Sequence, residues 1–159
     1  MPGEETTPIK RGLVHDLAEA FVNTHPDVEL YFDLDELELV AVPHEYVAQN
    51  EEHLAEIHEL EERILEKLGV RYFELPKLES SDMFAMVEEF IESVGKESIR
   101  DKLNNAINST GAYPAFLEAL SDYHSVNMRW HKFQEEELTK KVLAWLEELG
   151  LKPKLQKRT

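Results

Sequence analysis

A chain of 159 residues with 42% hydrophobic and 31% charged side chains is of single-domain size and can bury enough apolar surface to fold without cross-links. It contains no cysteine, which excludes a disulfide framework, a thiolate zinc site and a cysteine nucleophile. Acidic residues outnumber basic ones 33 to 17 for a net charge of −16, and four of the basic residues fall in the last eight positions, so residues 1–151 carry −20. Such a body repels phosphate backbones and anionic lipid headgroups, which disfavours direct duplex nucleic-acid binding.

Residues 1–8 are rich in Gly, Pro, Thr and Glu and lack an apolar period, which predicts a disordered N-terminus. Leu13, Val14, Leu17, Phe21 and Val22 recur at helical spacing and predict a helix from Ile9 to Asn23, stopped ahead of Pro26. The period then changes. Val28, Leu30, Phe32 and Leu34 alternate with Glu29, Tyr31, Asp33 and Asp35, the pattern of a half-buried strand. A second strand runs on to Pro43, through Leu37, Leu39 and Ala41 or through the interleaved Val40 and Val42. The turn near Asp35-Glu36 has neither glycine nor asparagine, so a longer loop or a bulge is expected there. Residues 44–68 read as one long helix with a stripe of Leu54, Ile57, Leu60, Ile64, Leu65 and Leu68, and Gly69 as its stop. Val70 to Leu75 reads as a short strand closed by Pro76, able to join the hairpin in a three-stranded sheet.

The second half is helical. Ser80-Ser81-Asp82 is an N-cap cluster ahead of Met83, Met86, Val87, Phe90, Ile91 and Val94, and Gly95 ends that helix. Residues 97–108 form another, and Pro114 suits the first turn of a short one carrying Phe116, Leu117 and Leu120. A last long helix, from about Ser125 to Leu149, is expected to bury Met128, Trp130, Phe133, Leu138, Val142, Trp145 and Leu146. The fold class is α+β, predominantly helical, with a small antiparallel sheet of two or three strands and a C-terminal four-helix part. A single globular domain over 9–151 is expected, followed by a basic flexible tail over 152–159. No segment has the apolar run of a signal peptide or the roughly 20 apolar residues of a membrane span, so a cytoplasmic protein with no membrane partner is expected.

Five stretches occur in a telling order: Arg71-Tyr72-Phe73-Glu74-Leu75-Pro76, Met86-Val87-Glu88-Glu89-Phe90-Ile91, Gly111-Ala112-Tyr113-Pro114-Ala115-Phe116, Arg129-Trp130-His131-Lys132-Phe133 and Ala144-Trp145-Leu146. Together with Tyr31-Phe32-Asp33-Leu34-Asp35, they resemble the bacterial uncharacterised protein family numbered 0158 in the UPF series, over roughly residues 28–151. The resemblance implies a fold and a bacterial cytosolic setting. It supplies no activity and no catalytic residues. The chain departs from the family pattern at Glu36-Leu37, where relatives commonly carry a Thr-Gly-like pair, and at Pro114, where a basic residue is commoner.

Four groups of side chains invite a chemical reading. Asp33 and Asp35 share one strand face, where two carboxylates can hold Mg²⁺ or Ca²⁺; edge-strand charge is the competing explanation. The helix around Glu52, Glu56 and Glu59 carries seven glutamates against Arg63 and Lys67, either a solvated face or a dock for a basic partner. Arg129 and Trp130 gather a cation and an aromatic ring in the manner of an interface hot spot, or else Trp130 is core. His53 and His58, five apart, point about 140° away from each other on a helix and read as surface residues. Nucleophile elbows and glycine-rich phosphate loops are absent.

The function expected is therefore a non-enzymatic binding or regulatory protein whose acidic surface engages a basic partner protein. No catalytic residue and no cofactor are expected, and a homodimer is a further option. The competing expectation is a divalent-metal-dependent hydrolase or phosphotransfer enzyme using Asp33 and Asp35.

Overall fold

The computed structural model describes residues 5–23, 25–109 and 111–156. They cluster into two compact units, one of the residues up to Lys77 together with those from Val142 onward, the other of Leu78–Lys141.

In the first unit, α1 (Arg11–Val22) precedes β2 (Val28–Asp33) and β3 (Glu38–Pro43). After a 3₁₀ turn (Glu45–Val47) come α2 (Glu51–Glu66) and β4 (Tyr72–Glu74). The sheet is antiparallel in the order β3-β2-β4, so the short third strand joins the hairpin as expected. Both of its faces are covered. On one, Phe32 meets the Trp145 ring at 5.6 Å, and Trp145 in turn meets Phe21 of α1 at 5.7 Å, both edge to face. On the other, Val42 and Tyr72 pack with Ile57 and Ile64 of α2, flanked by Tyr31, Val40 and Leu60. Each fully buried aliphatic or aromatic side chain of this kind contributes about 2 kcal/mol of transfer free energy.

Four residues, Leu34 to Leu37, connect β2 to β3, since Asp33 pairs with Glu38. The expected longer loop is thus present, and its chemistry is that of an aspartate turn: Asp33 Oδ1 accepts hydrogen bonds from the backbone N–H of Asp35 at 3.0 Å and Glu36 at 3.1 Å. Leu37 takes a left-handed conformation (φ 54°). Glycine would adopt that conformation without a Cβ penalty.

The helix expected over 44–68 is shorter, and the reason is a cap. Asn50 Oδ1 accepts the His53 N–H at 2.7 Å and starts α2 at Glu51, leaving 45–47 as a separate 3₁₀ turn. Leu65 and Leu68, counted as part of the apolar stripe, are exposed.

The expectations for the chain ends need correction. Thr7–Ile9 forms β1 and pairs in parallel with β5 (Pro153–Leu155). Lys152 O accepts the Thr7 N–H at 2.8 Å and Ile9 O the Gln156 N–H at 2.9 Å, and Ile9 is buried. The predicted disordered start and flexible tail therefore hold a strand each; residues 1–4 and 157–159 lie outside the described residues.

The second unit holds α3 (Ser80–Ser93), α4 (Glu97–Ile107), α5 (Ala112–Leu120) and the N-terminal part of α6 (His124–Glu148). Together they are the four-helix part anticipated from the sequence. Its centre is Trp130, which is 0% exposed and meets Phe116 at 5.0 Å and Phe90 at 5.4 Å, both edge to face. Met128, expected in the core, is 60% exposed instead. No helix among the described residues is long and apolar enough to cross a membrane.

Candidate functional site

Strand alternation sends Glu29, Tyr31 and Asp33 to the α2 face of the sheet, and α2 decides what each can do. Asp33 is 2% exposed and fully engaged. Besides the two turn N–H groups, its Oδ1 accepts from Arg71 Nε at 3.0 Å and its Oδ2 from an Arg71 terminal nitrogen at 2.9 Å. Arg71 Nε also lies 3.6 Å from Asp35 Oδ2. The two aspartates are thus brought to one cation, and that cation is the guanidinium of the chain itself. The Arg71 hydrogen bonds hold the Asp33 carboxyl below the ordinary carboxylate range, against the opposing effect of burial. Arg71 is itself fixed by a turn in which Lys67 O accepts the N–H groups of Val70, Arg71 and Tyr72. Among the described residues, no group of three or more histidine, aspartate or glutamate side chains is placed to hold a metal ion.

Glu52, Glu56 and Glu59 are exposed at spacings of four and three, on one face of α2. The helix's other glutamates, Glu51, Glu61, Glu62 and Glu66, are exposed as well. Glu59 and Arg63 have the spacing of a helical ion pair, yet none forms between them. Among the described residues, no ion pair of 4 Å or less joins a lysine or arginine to any of the seven glutamates.

Arg129 and Trp130, neighbours in sequence, part ways. Trp130 is sealed in the aromatic core, and its Nε1 finds no acceptor there. Arg129 is exposed and donates to Ser93 O at 3.3 Å, at the C-terminus of α3, with its guanidinium 5.8 Å from the Phe90 ring centre. Arg100 donates to Val94 O at 3.0 Å beside it. The two arginines thus satisfy the last carbonyls of a helix.

A concavity that sequence reasoning missed lies in the first unit. It measures about 760 Å³ and is bounded by β2, the end of β3, the 3₁₀ turn and α2. Its polar and aromatic lining is Glu29, Tyr31, His44, Glu45, Tyr46 and Glu61, over apolar Val42 and Leu54. His44 and Tyr46 stack at 5.7 Å with an interplanar angle of 7°. The Tyr46 hydroxyl is shared between Pro26 O at 2.6 Å and Asp27 Oδ1 at 2.8 Å. His44 Nε2 lies 3.7 Å from Glu29 Oε1, and His58 Nε2 lies 2.8 Å from Glu45 Oε1. His53 Nδ1 accepts the Gln49 N–H at 3.2 Å. A signal was present in the sequence: alternation put Glu29 and Tyr31 on one strand face, and Glu45 and Tyr46 follow a proline-terminated strand.

The sequence profile of the uncharacterised protein family UPF0158 matches residues 10–158. A UPF0158 protein of Pseudomonas aeruginosa strain PAO1 is 26% identical over 90 residues, which are 57% of this chain and 59% of that protein. The aligned segment therefore spans under two thirds of the relative's length. No solved structure matches the chain.

Proposed function

We propose that this chain, which belongs to the uncharacterised UPF0158 family, is a non-enzymatic binding or regulatory protein of the bacterial cytoplasm, engaging a basic partner protein through an acidic surface on α2. One observation carries this reading: all seven glutamates of α2 are exposed, and among the described residues none is ion-paired to a lysine or arginine. Seven like charges on a 16-residue helix repel one another at i, i+3 and i, i+4 spacing, a cost that a polycationic partner removes. The competing metal-dependent reading starts at a disadvantage, since Asp33 already has four hydrogen-bond donors around it.

The test is a titration of fluorescently labelled decalysine against the wild-type chain and against Glu52→Lys/Glu56→Lys/Glu59→Lys. The proposal expects binding to the wild type in low salt and a loss of at least about tenfold in the triple variant. Equal affinities would reject α2 as the docking surface.

A further inference from the structure

We propose that the cleft bounded by β2, the 3₁₀ turn and α2 is a receptor for a single lysine or arginine side chain of the partner; this inference rests on the reading of α2 as a cation-seeking surface. The cleft has the chemistry of such a receptor on every side. Glu29, Glu45 and Glu61 line it from three different elements, and among the described residues no lysine or arginine joins them. Among the described residues, Glu29 and Glu45 are each met by an imidazole, and Glu61 by no ion pair. The negative field shows on a neighbour: burial, then Glu29, Glu74 and Glu61, push the Tyr31 hydroxyl above its ordinary range.

The aromatic wall adds a second kind of attraction. A cation over a ring face is drawn to its quadrupole, and two tyrosines, Tyr31 and Tyr46, line the cleft. Tyr46 is 68% exposed, an unusual position for a large ring, yet its hydroxyl is tethered to Pro26 and Asp27. The ring is thus fixed before any ligand arrives, which lowers the entropic cost of binding. Val42 and Leu54 supply an apolar surface for the methylene stem of the incoming side chain. At about 760 Å³ the cleft is far larger than a bare ion requires, and its carboxylates are not grouped for coordination. An organic cation fits it where a metal does not.

The experiment uses a neutral five-residue peptide with one central arginine and capped ends, followed by amide NMR shifts of the full chain. A peptide with citrulline in place of arginine, which keeps the shape and removes the charge, is the control. The expected result is a saturable set of shifts at Tyr31, His44, Tyr46 and Glu61 with the arginine peptide alone. Glu29→Gln/Glu61→Gln and Tyr46→Leu, all at exposed positions, should each weaken it about tenfold while leaving the remaining spectrum folded. Shifts confined to the Glu52, Glu56 and Glu59 face, unchanged in the cleft variants, would overturn the inference and leave the α2 reading standing. Failure of decalysine itself to bind the chain would remove both.

Discussion

Arg71 grips Asp33 through two guanidinium nitrogens, at 2.9 and 3.0 Å, across 38 positions of sequence. The contact joins two of the stretches that first marked the family resemblance, the one around Tyr31 to Asp35 and the one beginning at Arg71. It ties the β2–β3 turn to the turn before β4, which Leu34 N–H reinforces by donating to Arg71 O at 2.8 Å. Asp33 is buried while Arg71 stays about a third exposed, so Asp33→Asn, which gives up the charge-assisted hydrogen bonds but leaves the arginine in reach of water, should cost about 2 kcal/mol in urea unfolding at neutral pH. Asp35→Asn, at an exposed carboxylate 3.6 Å from the same arginine, should change stability by less than about 0.5 kcal/mol. Equal effects would show that the two aspartates share the load.

The same pair sets an acid limit. The folded Asp33 carboxyl titrates below its unfolded value, so its stabilisation is complete above the unfolded pKa of about 4 and is lost as pH falls through the depressed folded value. The stability gap between the wild type and Asp33→Asn should therefore stay constant from pH 8 to about pH 5 and narrow below about pH 4. A gap that widened on acidification would contradict the assignment. Comparing the two chains cancels the titration of the many surface acids.

Trp130 and Met128 predict opposite outcomes two residues apart. Trp130→Ala should destabilise by about 4 kcal/mol, because it removes the ring at the centre of the Phe90 and Phe116 contacts. Met128→Ala, at a site 60% exposed, should lie within about 0.5 kcal/mol of the wild type. Thermal unfolding of both settles which face of α6 is the core.

Deleting residues 153–159 removes β5, leaves the Thr7–Ile9 strand without its partner and re-exposes Ile9. The expected loss is about 2 kcal/mol, read by urea unfolding. Unchanged stability would mean that the pairing carries no weight.

What could be read in advance followed the range of the interaction. The helix over Ser80–Ser93 was legible because Met86, Val87, Phe90 and Ile91 repeat within a few residues and all four are buried. The strand pair at the ends was not: Pro153 and Leu155 do alternate with Lys152 and Lys154, but nothing local names Thr7–Ile9 as their partner. The start of α2 was misplaced because apolar spacing gives a helix its face, while the single side chain of Asn50 gives it its beginning. At Asp33 the error was physical. Its strand was read as having one solvated face, whereas the carboxylate is buried and held by the turn N–H groups of Asp35 and Glu36 and by Arg71. The cleft escaped notice for the same reason, since Glu61 of α2 joins Glu29 and Tyr31 only once helix and sheet have packed.

Recognition of a basic partner by the acidic face of α2 can be read from the salt dependence of decalysine affinity, beside a fully acetylated decalysine of the same length. Affinity should fall steadily as salt rises from low to above physiological, where the screening length drops from about 30 Å toward 8 Å and below, and the acetylated peptide should not bind. Binding that ignored salt, or that survived acetylation, would contradict it.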